Sequence, residues 1–235
     1  MSGRRFFQMM DTQFITQTNR RLLVIEGNIG AGKTTLASMM SRQLNARLVT
    51  ERFDDNAFLP KFYENRERYA FPLELSFLAD RYNQLKSEID SPDLFHQLTI
   101  CDYHFFKSLV FARQTLSNDE FTLYRQLFKI IMGLVPRADL FVYLHRPVAV
   151  LLNMIAKRGR SYERSIDSSY LLMIQDSYFN FFREHPEYAI LIVDAEDLDF
   201  ENDGAVFDSL SRLINRHYEA GINRVKLKEF MNDLL

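Results

Sequence analysis

Gly27-Asn28-Ile29-Gly30-Ala31-Gly32-Lys33-Thr34-Thr35 follows directly on the apolar run Leu22-Leu23-Val24-Ile25, and its reading decides the fold. The spacing G-x-x-x-x-G-K-[ST] is that of a loop that wraps a triphosphate. Its glycines let backbone N–H groups turn inward, Lys33 has the reach for the β and γ phosphates, and Thr34 offers a hydroxyl to magnesium. Leu36, Met39, Met40 and Leu44 continue a helical stripe behind the loop, so a buried strand leads in and a helix leads out. The positive end of that helix adds to the pull on phosphate. A plain glycine turn between strand and helix is the alternative, and this context disfavours it.

Downstream, the same alternation repeats. Arg47-Leu48-Val49-Thr50 predicts a short strand ending at Glu51, followed by a polar break from Arg52 to Asn56. Leu98-Thr99-Ile100-Cys101 predicts a third strand ending at Asp102, Leu140 to Leu144 a fourth and Ala189 to Val193 a fifth. Helical patterns cover Ala57 to Glu64, Pro72 to Ile89, Phe105 to Thr115, Asp119 to Leu134 and Ser168 to Phe182. Another helix opens at Pro147 with Val148, Leu151, Leu152 and Ile155 on one face, and one or two more close the chain. Five strands alternating with helices predict an α/β fold, a five-stranded parallel sheet with right-handed crossovers and helices on both faces. Glu51 then sits at the C-terminal end of a strand, the edge where open parallel sheets bind ligands.

With 47% hydrophobic and 26% charged residues, residues 21–235 suffice for one domain with a full core. A net charge of −2 gives no reason to expect nucleic acid as a partner. The single cysteine, Cys101, excludes an internal disulfide and points to a reducing, cytoplasmic setting. Residues 1–20 read as an arm: Phe6, Phe7, Met9 and Met10 never extend into the apolar core of a signal peptide. No run of about 18 apolar residues occurs, so no membrane span is expected.

On the helix from Pro72 to Ile89, Glu74, Phe77, Leu78, Arg81 and Leu85 share one stripe. A carboxylate and a guanidinium on an apolar face need partners or a ligand, which predicts a polar pocket floor; a structural salt bridge is the alternative. Further on, Lys157-Arg158-Gly159-Arg160 is a basic cluster with a hinge-capable glycine, able to close over phosphates. Composition alone also allows a solvated helix end.

These features together resemble the deoxynucleoside kinases, the group of deoxycytidine, deoxyguanosine and bacterial deoxyadenosine kinases. The likeness spans Leu22 to Phe200: the phosphate loop, Glu51, the helix from Glu74 to Arg81, the lid K-R-G-R-S-Y-E and the late D-A-E-D-L-D-F. It implies ATP as donor, Mg2+ held by Thr34 and Asp102, and Glu51 as the general base on the sugar 5′-hydroxyl. Lys33, Arg158 and Arg160 stabilise the transferred phosphoryl group. Gly27 through Thr35, with Asp197 and Phe200, hold ATP. Tyr63 and Glu163 hold the 3′-hydroxyl, and Glu74, Arg81 and Phe111 belong to the nucleoside site. The resemblance also implies a homodimer, for which the segments Phe105 to Phe111 and Phe121 to Leu134 are candidates.

The chain departs from the family pattern at several positions. An acidic-Arg-Ser triplet is replaced by Asp102-Tyr103-His104, so the arginine is lost; Tyr103 carries no charge and His104 is at best a partial substitute. Arg52 stands where many relatives have proline, and Met154 where many have arginine. Glu74 replaces a glutamine, and an ionised carboxylate only accepts hydrogen bonds, which favours amino-bearing bases over thymine unless burial keeps it protonated. The expected activity is 5′-phosphorylation of a deoxynucleoside in salvage; a nucleoside monophosphate kinase and a non-kinase nucleotide-binding P-loop protein are the alternatives.

Overall fold

The computed structural model describes residues 21–52, 56–89, 95–196 and 198–234. The expected arm at residues 1–20 and Asp197 lie outside them. β1 (Leu22–Gly27) is buried along its whole length and is followed by α1 (Lys33–Leu44). Then come β2 (Arg47–Val49), α2 (Leu59–Glu64), α3 (Arg66–Gln84), β3 (Thr99–Cys101), α4 (Lys107–Thr115) and α5 (Asn118–Met132). The rest is β4 (Leu140–His145), α6 (Val148–Arg158), a 3₁₀ turn (Ser161–Ser165), α7 (Ser168–Glu184), β5 (Ala189–Asp194), α8 (Gly204–Ile214), β6 (Gly221–Lys226) and α9 (Leu227–Asn232).

The strands form one sheet in the order β2-β3-β1-β4-β5-β6, every neighbouring pair parallel. Six strands, not five, make it up. β6 carries Arg224 and Lys226 and alternates half-buried with exposed residues, as an edge strand does, so it lacks the continuous apolar run of a central one. Arg224 ties it to β5 through two bonds of 2.8 Å to Asp194.

The chain leaves β1 toward β2 and β3 on one side and crosses to β4 on the other. The reversal opens a crevice beyond the C-terminal end of β1, where the phosphate loop lies. α3 begins six residues before the expected Pro72. Asn65 caps it, its Oδ1 accepting from the Arg68 amide at 3.1 Å, and the helix continues through Pro72. Beyond Gln84 it passes into a π-helical turn, Leu85–Ile89.

Candidate active site

The crevice widens into a cavity of about 990 Å³ lined by the phosphate loop, the ends of β2 and β3, α3, α4 and the segment after α6. Ile29, Gly30, Gly32, Lys33, Thr34 and Thr35 face it, whereas Gly27, Asn28 and Ala31 do not. Asn28 is a buried brace: its side chain donates to the Leu171 carbonyl at 2.7 Å and accepts from the Ile29 amide at 2.8 Å. Gly32 caps α1 with φ of 91°, and a Cβ there would lie 3.0 Å from the ring of Phe200. Phe200 is therefore packed beneath the loop, and Leu198, Asp199, Glu201 and Asn202 form the cavity wall beside it. Arg146 knits this corner together, donating to the carbonyls of Ala31, Glu196 and Leu198 at 3.2, 3.1 and 2.9 Å.

Asp102, from the end of β3, joins two walls. Its carboxylate accepts from the Thr34 hydroxyl and, at 2.7 Å, from the Glu51 amide. A hydroxyl and one carboxylate beside a phosphate cradle are the hard oxygen donors that suit Mg2+, which takes few protein ligands and completes its shell with phosphate and water.

Glu51 lies across the cavity, held by two cations. Arg81 Nε and Nη2 donate to its Oε1 at 3.1 and 2.5 Å, and Lys107 Nζ pairs with Oε2. Burial would raise the Glu51 carboxyl, but the charges and hydrogen bonds of Lys107 and Arg81 pull it down to about 2. Arg81 thus serves Glu51, not Glu74 on its own helix, and its third nitrogen donates to Ser108 at 2.6 Å.

Glu74 is 2% exposed. Its Oε1 accepts from Thr115 at 2.9 Å, and its Oε2 has no hydrogen-bond partner among the described residues. Burial, opposed by the Arg81 charge, lifts its carboxyl to about 7. Phe77 and Phe111 line the same wall, and Phe77 lies under the Arg81 guanidinium.

At the other end Gly159 stops α6 with φ of 73°, a left-handed residue that turns the basic cluster toward the cavity. Arg158 grips Glu163 through both carboxylate oxygens at 3.1 and 2.5 Å, and Arg160 approaches it at 3.6 Å. Tyr63 stacks on Tyr162 at 5.9 Å, and burial, then the Glu163 charge, drives its phenol well above the usual range. Tyr63, Glu163, Arg158 and Arg160 all line the cavity.

The departures resolve in the same frame. Tyr103 points into the core, its hydroxyl donating to Gln84 at 2.7 Å. His104 is buried against Phe141 and Phe106, and desolvation lowers it to about 4; it stays neutral and does not replace the lost arginine. Arg52 is exposed and pairs with Glu88, while Met154 lines the cavity.

Sequence reasoning missed Lys107, Arg146 and Glu26. Glu26 is fully buried in β1, accepting from the His104 amide at 2.7 Å and the Tyr178 hydroxyl at 2.8 Å. A lone carboxylate in a buried strand, and a lone lysine in the run from Phe105 to Phe111, were the available signals.

A phosphate loop facing a buried carboxylate across a cavity, with an arginine lid above, defines a P-loop phosphotransferase. The deoxynucleoside kinase family model matches residues 23–219. The chain is 35% identical over 193 residues to a deoxyguanosine kinase of Bacillus subtilis, covering 80% of this chain and 93% of that protein. It is 28% identical over 186 residues to the deoxyadenosine/deoxycytidine kinase of the same organism, covering 77% and 86%. A solved deoxyadenosine kinase of M. mycoides with bound dATP shares the fold, with a TM-score of 0.70 at 21% identity over 83% of this chain and all of the other. The chain belongs to the deoxynucleoside kinase family, and its activity is transfer of a phosphoryl group to a deoxynucleoside hydroxyl.

Proposed function

We propose that the protein transfers the γ-phosphoryl group of ATP to the 5′-hydroxyl of a deoxynucleoside, preferring amino-bearing bases over thymine where the Glu74 carboxyl is ionised, above about pH 7. The observation that carries this is Glu51: a buried carboxylate fixed by Arg81, Lys107 and, through its amide, by the same Asp102 that holds Thr34.

The 5′-oxygen bonds to the γ phosphorus, the bond from that phosphorus to the β–γ bridging oxygen breaks, and ADP leaves. Oε1 of Glu51 already accepts two bonds from Arg81, whereas Oε2 accepts one, from Lys107, and keeps a lone pair with which to accept from the 5′-hydroxyl. Held near 2, Glu51 is a weak base. It orients the hydroxyl and takes its proton only as the new bond forms, which suits a loose transition state. Lys33, Arg158 and Arg160 supply positive charge for the equatorial oxygens. Thr34 and Asp102 would hold Mg2+, which would supply positive charge to the β and γ phosphates. In this reading Tyr63 and Glu163, which line the cavity, hold the 3′-hydroxyl, and Oε2 of Glu74, without a hydrogen-bond partner among the described residues, meets the base.

Residues 21–235 act as one unit in this reading, in the reducing cytoplasm that suits the buried free thiol of Cys101. No helix of the described residues is long and apolar enough to cross a membrane. A homodimer is proposed through α5, which exposes Leu123 and Ile130, with exposed Leu134 just beyond.

The test is Mg-ATP with each of the four deoxynucleosides and their 5′-monophosphates. Phosphate transfer to deoxyguanosine, deoxyadenosine or deoxycytidine faster than to thymidine is expected. Transfer to monophosphates alone would move the protein to the monophosphate kinases, and ATP turnover without an acceptor to the non-kinase class.

A further inference from the structure

The most unusual group in the cavity is a lysine that no motif requires. Lys107 opens α4, is 8% exposed and lines the cavity. An ammonium has three donors. Among the described residues, Glu51 alone takes a hydrogen bond from it; Phe111 lies 5.4 Å from it to the ring centroid. Burying an ammonium with donors unused costs several kcal/mol unless an anion completes the shell.

Its neighbours sharpen the point. After burial, the charge of Lys107 is the largest influence holding Lys33 down, to about 8, and also the largest opposing the rise of Glu26, to about 7. Both ammonium groups line the same cavity, Lys33 from the phosphate loop and Lys107 from α4. Proteins bring like charges together in this way where an anion is to lie between them. Four residues earlier, before α4 begins, Tyr103 is turned into the core and brings no charge.

On the reading that this cavity transfers a phosphoryl group to a 5′-hydroxyl, we infer that Lys107 is a phosphate-contacting residue. It holds Glu51 with one N–H and turns the others to the oxygens of the phosphoryl group as it passes to the 5′-oxygen. It supplies, from the helix, the positive charge that position 103 lacks. The 5′-monophosphate product meets the same donors, whereas the unphosphorylated nucleoside does not.

The experiment compares wild type with Lys107→Met, which keeps the stem without the charge, Lys107→Gln, which keeps a donor for Glu51, and Lys107→Arg. The ligands are the deoxynucleoside that wild type turns over fastest and its 5′-monophosphate. In Lys107→Met, kcat is expected to fall about 100-fold with KM for the nucleoside within about threefold. Affinity for the monophosphate, by calorimetry, is expected to fall about tenfold or more while that for the nucleoside holds, and Lys107→Arg to restore most of both. Should Lys107→Met be recovered unfolded, the same split is read from Lys107→Gln. Equal losses for nucleoside and monophosphate, or kcat within about threefold of wild type, would overturn the inference. The function reading fails separately, if wild type phosphorylates no deoxynucleoside.

Discussion

The two walls of the cavity are built by different means. The donor wall, from β1 through the phosphate loop to α1, is largely backbone: glycine conformations, and carbonyls of Ala31, Glu196 and Leu198 tied by Arg146. The acceptor wall is side chain. Glu51, Glu74, Arg81, Lys107 and Thr115 come from three separate segments of the chain and meet only in the folded molecule. A backbone cradle recognises what all nucleoside triphosphates share. A wall of buried charges recognises one acceptor, and its protonation state becomes part of the specificity.

Lys33 is the charged side chain of the phosphate loop itself, so Lys33→Met tests whether the walls are separable. Turnover is expected to fall roughly 10²–10³-fold, with deoxynucleoside affinity within about threefold of wild type in calorimetry. A matching loss of nucleoside binding would show that the walls act as one.

Arg158 reaches from the lid to Glu163 and the cavity between the walls. Arg158→Met is expected to lower kcat about tenfold to a hundredfold in steady-state assays, less than Lys33 because the lid arginine is partly solvated.

Glu74 sharpens the comparison by pH. Its folded-state value, about 7, lies above the ordinary 4.5, so the folded protein binds this proton more tightly than the unfolded chain does. Stability from this site is therefore full below about 4.5 and is lost as pH rises through about 7, by about 3 kcal/mol in all. Denaturant unfolding should find Glu74→Gln more stable than wild type near pH 8, and the two alike near pH 5. The preference for amino-bearing bases over thymidine should grow with pH in wild type, as the carboxylate loses its donor, and stay flat in Glu74→Gln. A preference in wild type that ignores pH would remove Glu74 from base selection.

Outside both walls, Arg224→Met removes the tie between β6 and β5. With Arg224 half exposed, about 0.5–1 kcal/mol is expected, a Tm lower by roughly 1–4 °C and unchanged kcat.

The difference between the walls also decides what could be read from sequence. Much of the donor wall lies in one short stretch, so the apolar run Leu22 to Ile25 and the loop Gly27 to Thr35 revealed strand, loop and helix together. Glu51 and Asp102 were legible because they lie just beyond the C-terminal ends of β2 and β3. The charge pattern of α3 disclosed that Glu74 and Arg81 are buried, yet the partner of Arg81 proved to be Glu51, thirty residues earlier, because pairing across elements leaves no local trace. Lys107 was hidden for the same reason: its role depends on β2 ending opposite α4. Phe200 was expected at the donor base; that it packs beside Gly32 under the loop is a contact between distant segments that leaves no local trace. β6 was not among the expected strands, because an edge strand with alternating charge has no apolar run.

Single-turnover phosphoryl transfer by Glu51→Gln and Glu51→Asp, with ATP and deoxynucleoside affinities measured on the same proteins, tests the role of Glu51 most directly. Glu51→Gln should transfer about 10³-fold more slowly than wild type while binding both ligands within about threefold, and Glu51→Asp, which keeps the charge on Arg81 and Lys107, should fall between. Transfer by Glu51→Gln at the wild-type rate would contradict a carboxylate at position 51 receiving the 5′-hydroxyl.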